Sequence, residues 1–147
     1  MDLDALPEAV PVIRSVVGAH LRLWGVTELT DRVTLGVTEL LANVIRHTLP
    51  DARTGTRPAR LTVTLLPGAL NVCVRDHSSV LPRPNSPGLD AECGRGLHLL
   101  AALADGFGCA PAPDGKDVWA NFAIPGGDTG RSPAATPLHR SAPSRTP

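Results

Sequence analysis

Three polar residues, Glu39, Asn43 and His47, recur at intervals of four along one stretch of the chain. In an α-helix such residues share one face, so a carboxylate, an amide and an imidazole would stand in a row. A carboxylate and a carboxamide one turn apart can coordinate a hard cation or orient a water molecule. Alternatively, the three side chains only border the buried face of a helix, and helix geometry alone favours this second interpretation.

The apolar residues of the same stretch predict a helix that packs on a core. They are spaced three, four or one apart, as a buried helical stripe requires: Val33, Val37, Leu40, Leu41, Val44 and Ile45. We expect this helix to begin with Thr30 as its cap and to end at about His47. A first helix is predicted over residues 6–24, where apolar side chains recur at the same spacing and Gly25 provides a stop.

Composition limits the classes of function. The 147 residues suffice for one domain with a core. Fourteen basic residues balance fourteen acidic ones and aromatic residues are few, so we expect no direct nucleic-acid binding. No apolar run approaches the roughly 20 residues that span a bilayer, and no secretory signal is visible. Cys73, Cys93 and Cys109 lack paired metal spacing and indicate thiols in a reducing cytoplasm.

Period-two alternation predicts the strands. Residues 60–65 and 70–75 alternate on either side of Pro67-Gly68, which indicates a β-hairpin with one buried face. A short strand at 107–110, a turn at 111–115 and a last strand at 116–124 follow later. We therefore expect an α+β domain, a two-layer sandwich with helices on one face of a mostly antiparallel mixed sheet.

Between these strands lies a segment without periodicity, residues 77–93, which contains three prolines. Its length indicates a lid, a binding loop or disorder. It ends at Gly94-Arg95-Gly96, which opens a third helix predicted over 97–104. Glycines before a helix N-terminus can cradle a phosphate, although such a pair is often only a turn.

Two charged residues stand next to predicted strands. Asp76, at the end of a buried strand, could accept a hydrogen bond from an exocyclic amine such as that of adenine, or could simply begin a turn. Lys116, before the last strand, could face a phosphate or solvent, and we expect solvent. We expect His77 and His98 to be structural, since neither has a partner at triad or metal spacing.

Taken in order, these motifs resemble those of the GHKL, or Bergerat-fold, ATPases. The chain is most similar to the small RsbW-type anti-sigma-factor serine/threonine kinases and their actinobacterial relatives. The matching segments are Glu39-x-x-x-Asn43-x-x-x-His47, Val74-Arg75-Asp76, the proline-bearing segment, Gly94-Arg95-Gly96-Leu97, Leu103-Ala104-Asp105-Gly106-Phe107-Gly108 and Gly115-Lys116-Asp117-Val118-Trp119-Ala120. The resemblance implies a histidine kinase-like ATPase domain over residues 1–125, and composition predicts a disordered Pro/Ser/Arg-rich tail over 126–147.

The resemblance also implies a site for ATP and Mg²⁺. Asn43 would hold the Mg²⁺ ion, Glu39 would be the catalytic general base, and Asp76 would bind the adenine amino group. The phosphates would lie against the segment Gly94-Arg95-Gly96-Leu97. Such a site matches the chemistry of phosphoryl transfer, which depends on positioning and charge neutralisation.

The sequence departs from the family pattern at two places. Ser78 stands where the motif has a glycine that lets the base approach closely. The start of the chain is short, so the usual first edge strand must fit within residues 1–6, which leaves a homodimer possible but undecided.

Three functions compete. The first is a cytoplasmic ATP-dependent kinase that phosphorylates Ser/Thr of an anti-sigma-factor antagonist, sequesters a sigma factor, or does both. The second is a non-enzymatic partner-binding module with weak or lost nucleotide binding. The third, the detached ATPase half of a two-component histidine kinase, is disfavoured because no helix with a phosphoacceptor histidine precedes the domain in this sequence.

Overall fold

The structure, a computed structural model, describes residues 1–77 and 99–126. Within them two α-helices are formed, α1 (Val10–Leu23) and α2 (Thr30–His47). Residues 99–103 form a further helical segment, the described part of the predicted third helix. The strands are β1 (Asp2–Asp4), β2 (Pro58–Leu66), β3 (Ala69–Asp76), β4 (Gly106–Ala112) and β5 (Gly115–Ala123).

These five strands form one sheet in the order β1-β2-β3-β5-β4, with antiparallel pairing throughout. Alternate residues of each strand point to opposite faces, so burial alternates along β3 and β5. The helices cover the inward face, where the core lies. At Gly36 of α2, an added Cβ would come within 2.8 Å of the Phe122 ring of β5, so the two layers are in close contact. The predicted α+β sandwich is confirmed.

The helices end as predicted, but α2 does not begin as predicted. Thr30 is not a cap. A 3₁₀ turn, Thr27–Leu29, leads directly into α2, and Leu29 at the cap position already has helical backbone angles and no side-chain cap bond. The backbone of the turn provides hydrogen bonds at this helix start, including one from Leu29 N–H to the Val26 carbonyl. At the end of α1, Gly25 has a φ of 73°, the left-handed conformation expected of a stop.

The second hairpin is tighter than predicted. β4 continues through Pro111, and the turn consists of Pro113 and Asp114 only. Pro111 is tolerated inside β4 because this strand forms one edge of the sheet, where a missing N–H need not break a pairing. As a result Gly115 and Lys116 belong to β5 and lie directly beside the end of β3.

At the other edge, β1 fits within residues 1–6 as predicted and pairs with β2. None of the helices in the described ranges is long and apolar enough to cross a membrane. Neither Cys73 nor Cys109 forms a disulfide. Two predicted segments lie outside the described residues: the lid after His77 and the tail after Gly126. Cys93 and His98 also lie outside them.

Candidate functional site

Glu39, Asn43 and His47 all lie on α2, which is a continuous helix, so their predicted row on one face is present. Each of the three is partly exposed. The Glu39 side chain is 16% exposed to solvent, and its Oε2 lies 3.9 Å from the Arg46 guanidinium. Such a separation leaves the Glu39 carboxylate close to a positive charge without a short hydrogen bond to it.

His47 occupies the last turn of α2. Its Nε2 is buried, and no hydrogen-bond partner for it is present among the described residues. A buried polar nitrogen without a partner is uncommon in folded proteins. His47 therefore lies at the end of the helix that carries Glu39 and Asn43, and no hydrogen bond to its Nε2 among the described residues indicates a role for it.

Asp76 is the last residue of β3 and is buried, with 1% of its surface exposed. Two other elements place donors against its carboxylate. The Thr48 hydroxyl donates to Oδ2 at 3.0 Å, and the Lys116 ammonium lies 3.0 Å from Oδ1 and 2.9 Å from Oδ2. A carboxylate buried in this way requires such donors, because burial of an unpaired charge is very costly.

Thr48 links Asp76 to the helix that carries Glu39 and Asn43. It follows the last residue of α2 and is itself buried. Its N–H donates to the Val44 carbonyl at 2.9 Å, and its own carbonyl accepts a bond from Arg57 Nε at 2.8 Å. Thr48 is therefore fixed through both backbone groups, and its hydroxyl connects the end of α2 to the end of β3.

Lys116 does not face solvent, so that prediction is wrong. It is 1% exposed and lies directly opposite Asp76 in the pairing of β3 with β5. The physical reason is strand parity, since Lys116 shares the inward face of β5 with Val118, Ala120 and Phe122. The alternation in the sequence contained this signal, because residues 116, 118, 120 and 122 are evenly spaced by two.

Gly115 permits this arrangement of the two strands. A Cβ at this position would overlap the backbone oxygen of Asp76, and Gly115 has a φ of 150°. Only glycine allows the β5 backbone to approach the end of β3 so closely in this conformation. The glycine thereby allows Lys116 to lie against Asp76.

A second set of contacts fixes the helical segment at 99–103. Arg32 of α2 donates to the Leu103 carbonyl at 2.9 and 2.7 Å and to Asp105 Oδ2 at 3.0 Å. The Ala123 N–H also donates to Asp105 Oδ2, and this bond, followed by those from Arg32, lowers the pKa of Asp105. The end of the segment is thus tied to both α2 and β5.

The structure therefore brings together part of the predicted site. Asp76 is connected to the end of α2 by Thr48, a residue that no sequence motif marks, because its partner lies 28 residues away. Glu39 and Asn43 lie on the same helix. The predicted phosphate-binding residues lie outside the described residues: Gly94, Arg95, Gly96 and Leu97.

The side chains of Asp76 and Asn43 are chemically suited to a nucleotide and a Mg²⁺ ion. Within residues 1–77 and 99–126, no cluster of three His, Cys, Asp or Glu side chains forms a metal cage. Mg²⁺ bound to phosphates usually needs only one or two protein oxygens, and the partly exposed Asn43 offers an amide oxygen of this kind.

Comparison with known proteins gives a family match and a similar structure. The model of the family described as histidine kinase-like ATPase domain matches residues 3–122. The histidine kinase domain of the blue-light activated histidine kinase from Erythrobacter litoralis EL346 has a TM-score of 0.47 and 22% identity to this chain. The alignment covers 67% of this chain but only 46% of that structure. A comparison with curated proteins gives no match.

Proposed function

Since the chain belongs to the histidine kinase-like ATPase domain family, within the GHKL superfamily, we propose that it binds ATP with Mg²⁺ and is a regulatory protein kinase. The observation that carries this proposal is the buried Asp76 carboxylate, joined through Thr48 to the helix of Glu39 and Asn43. The Thr48–Asp76 hydrogen bond thereby connects an acceptor for a base to the end of the helix that carries candidate groups for the phosphate chemistry.

In this proposal the adenine amino group would donate to Asp76, and the Asn43 amide oxygen would hold Mg²⁺. The metal ion would neutralise charge on the phosphates. Glu39 is the catalytic general base that accepts the proton of an attacking hydroxyl. Its carboxylate suits this task because it is partly exposed and makes no short hydrogen bond to Arg46, whose guanidinium lies 3.9 Å away.

The proposed substrate is a Ser or Thr hydroxyl of an anti-sigma-factor antagonist, and the proposed binding partner is a sigma factor. These partners are supported by the order of motifs from Glu39 to Gly115-Lys116, which resembles that of RsbW-type kinases. A hydroxyl nucleophile is consistent with a carboxylate base, since the hydroxyl must lose a proton during transfer.

The test is titration of the full chain with ATP and Mg²⁺, combined with transfer of labelled phosphate to candidate antagonist proteins. We expect Glu39→Ala to retain ATP binding and to lose phosphotransfer by about 10²–10⁴-fold, the usual contribution of a general base. Glu28→Ala is the matched control, because Glu28 is an exposed acid in the turn before α2 and should be silent.

Two outcomes would contradict the proposal. Equal phosphotransfer by wild type and Glu39→Ala would remove Glu39 from the chemistry. Absence of saturable ATP binding by the wild type would exclude the kinase and favour the non-enzymatic partner-binding module.

A further inference from the structure

The ammonium group of Lys116 lies inside the protein, next to a carboxylate. Lys116 and Asp76 are each 1% exposed, and their charged groups are 2.9–3.0 Å apart. Replacement of such a pair by apolar residues of similar volume is often neutral or stabilising in proteins. Stability alone therefore does not explain why an ion pair, rather than two apolar residues, occupies these inward positions.

Thr48 and Lys116 both present hydrogen-bond donors to the Asp76 carboxylate. Both contacts described above, from Lys116 Nζ and Thr48 Oγ1, are made by donors. The Lys116 ammonium compensates the charge of the carboxylate, which accepts hydrogen bonds in this ion pair. Because the ammonium touches both oxygens and Thr48 holds one of them, the plane of the carboxylate is also fixed.

We propose that Lys116 is a positioning residue that sets the base selectivity of the nucleotide site through Asp76. An ionised carboxylate of fixed orientation accepts a hydrogen bond from a purine 6-amino group. Against a 6-oxo purine it would place oxygen lone pairs against oxygen lone pairs. This inference rests on the proposed function, and it adds that Lys116, without touching the base, makes the site select 6-amino over 6-oxo purines.

The experiment compares the dissociation constants of ATP and ITP, whose bases differ in the 6-position group, each with Mg²⁺ and measured by calorimetry. We expect the wild type to bind ATP about 10- to 100-fold more tightly than ITP, the cost of an unmade hydrogen bond at a buried acceptor. In Lys116→Met the buried carboxylate lacks its compensating charge and is expected to take up a proton. A protonated Asp76 can donate to the 6-oxo oxygen, so the ratio should fall to within about threefold of unity.

Lys116→Gln provides a second variant in case Lys116→Met does not fold. Its amide still donates to Asp76 but carries no charge, so we expect a stable protein with a lower ATP-to-ITP preference than wild type. Arg75→Met is the matched control, since it removes a cation from the neighbouring residue of β3 on the opposite face and should leave the preference unchanged.

The outcomes separate this inference from the proposed function. If the wild type prefers ATP and both Lys116 variants keep the full preference, the inference is overturned while the nucleotide site stands. A loss of affinity that is equal for ATP and ITP would likewise reduce Lys116 to a structural role. If the wild type binds neither nucleotide, the proposed function fails first and the inference falls with it.

Discussion

Two ion pairs join β3 to β5 at consecutive positions and point in opposite directions. Asp76 and Lys116 meet on the inward face, where their side chains are 1% and 2% exposed. Arg75 and Asp117 meet on the outward face, with 48% and 24% exposure, and make two hydrogen bonds of 2.7 and 2.6 Å. The acid belongs to β3 in the buried pair and to β5 in the exposed pair.

The comparison shows that burial, and not distance, distinguishes the roles of the two pairs. The exposed pair is shorter and bidentate, but water and salt compete with it, so it is expected to contribute little to stability. The buried pair is slightly longer, yet each of its charges depends on the other because neither reaches solvent. A change to one member of each pair should therefore have very different consequences.

The largest expected effect is the loss of stability in Lys116→Met. This change leaves Asp76 buried without its ammonium partner, so that it must take up a proton or remain an uncompensated charge, and such broken pairs typically cost about 3–5 kcal/mol. Urea unfolding followed by circular dichroism measures the difference as a change in the free energy of unfolding. Arg75→Met, made on the same strands, should change this free energy far less.

A double variant tests whether charge or packing causes the loss of stability in Lys116→Met. Asp76→Asn combined with Lys116→Met removes both charges, so it should be more stable than Lys116→Met alone. If the double variant is as unstable as the single one, lost packing of the lysine stem, and not the loss of the ammonium charge beside Asp76, would account for the effect.

A smaller loss is expected from Gly115→Ala, which acts on the backbone beside the buried pair. The new Cβ would overlap the Asp76 carbonyl oxygen, and the φ of 150° suits glycine only, so we expect a loss of about 1–3 kcal/mol. Gly106→Ala is the control on β4, because a Cβ there meets nothing within 4 Å. The midpoints of thermal unfolding of the two variants measure this difference, and we expect the lower midpoint for Gly115→Ala. Equal midpoints would show that the close approach of the strands is easily relaxed.

Much of this architecture could be predicted from periodicity. The apolar stripe of α2, the alternation in β2 and β3 and the short β1 all follow from local patterns that burial enforces. Local patterns were less reliable at element ends. Thr30 looks like a cap, but the preceding turn is already helical, and Pro111 looks like a turn residue, but an edge strand accommodates it.

The candidate site was predictable in its residue types and less so in its contacts. Asp76 is recognisable as a carboxylate at a strand end, whereas the charge of Lys116 indicates solvent and only its position in the alternation of β5 indicates the inward face. Thr48 could not be found from the sequence, because its hydroxyl is defined by a contact with a residue 28 positions away. Spacing places residues on faces, but tertiary pairing decides which donors meet.

The smallest expected effect is a pH-dependent one at the exposed pair. The hydrogen bonds from Arg75 lower the pKa of Asp117 below its ordinary value of 3.8, although burial acts in the opposite direction. A carboxyl group whose pKa is lower in the folded state stabilises the fold above its unfolded value and loses that contribution as the pH falls through the folded value. The difference in unfolding free energy between wild type and Asp117→Asn should therefore be small and constant from about pH 7 to pH 5, and should shrink below about pH 4. Added salt should also reduce it, because this pair is partly hydrated. A difference that grew on acidification, or that matched the effect of Lys116→Met, would show that the outward pair is not the weak member of the comparison.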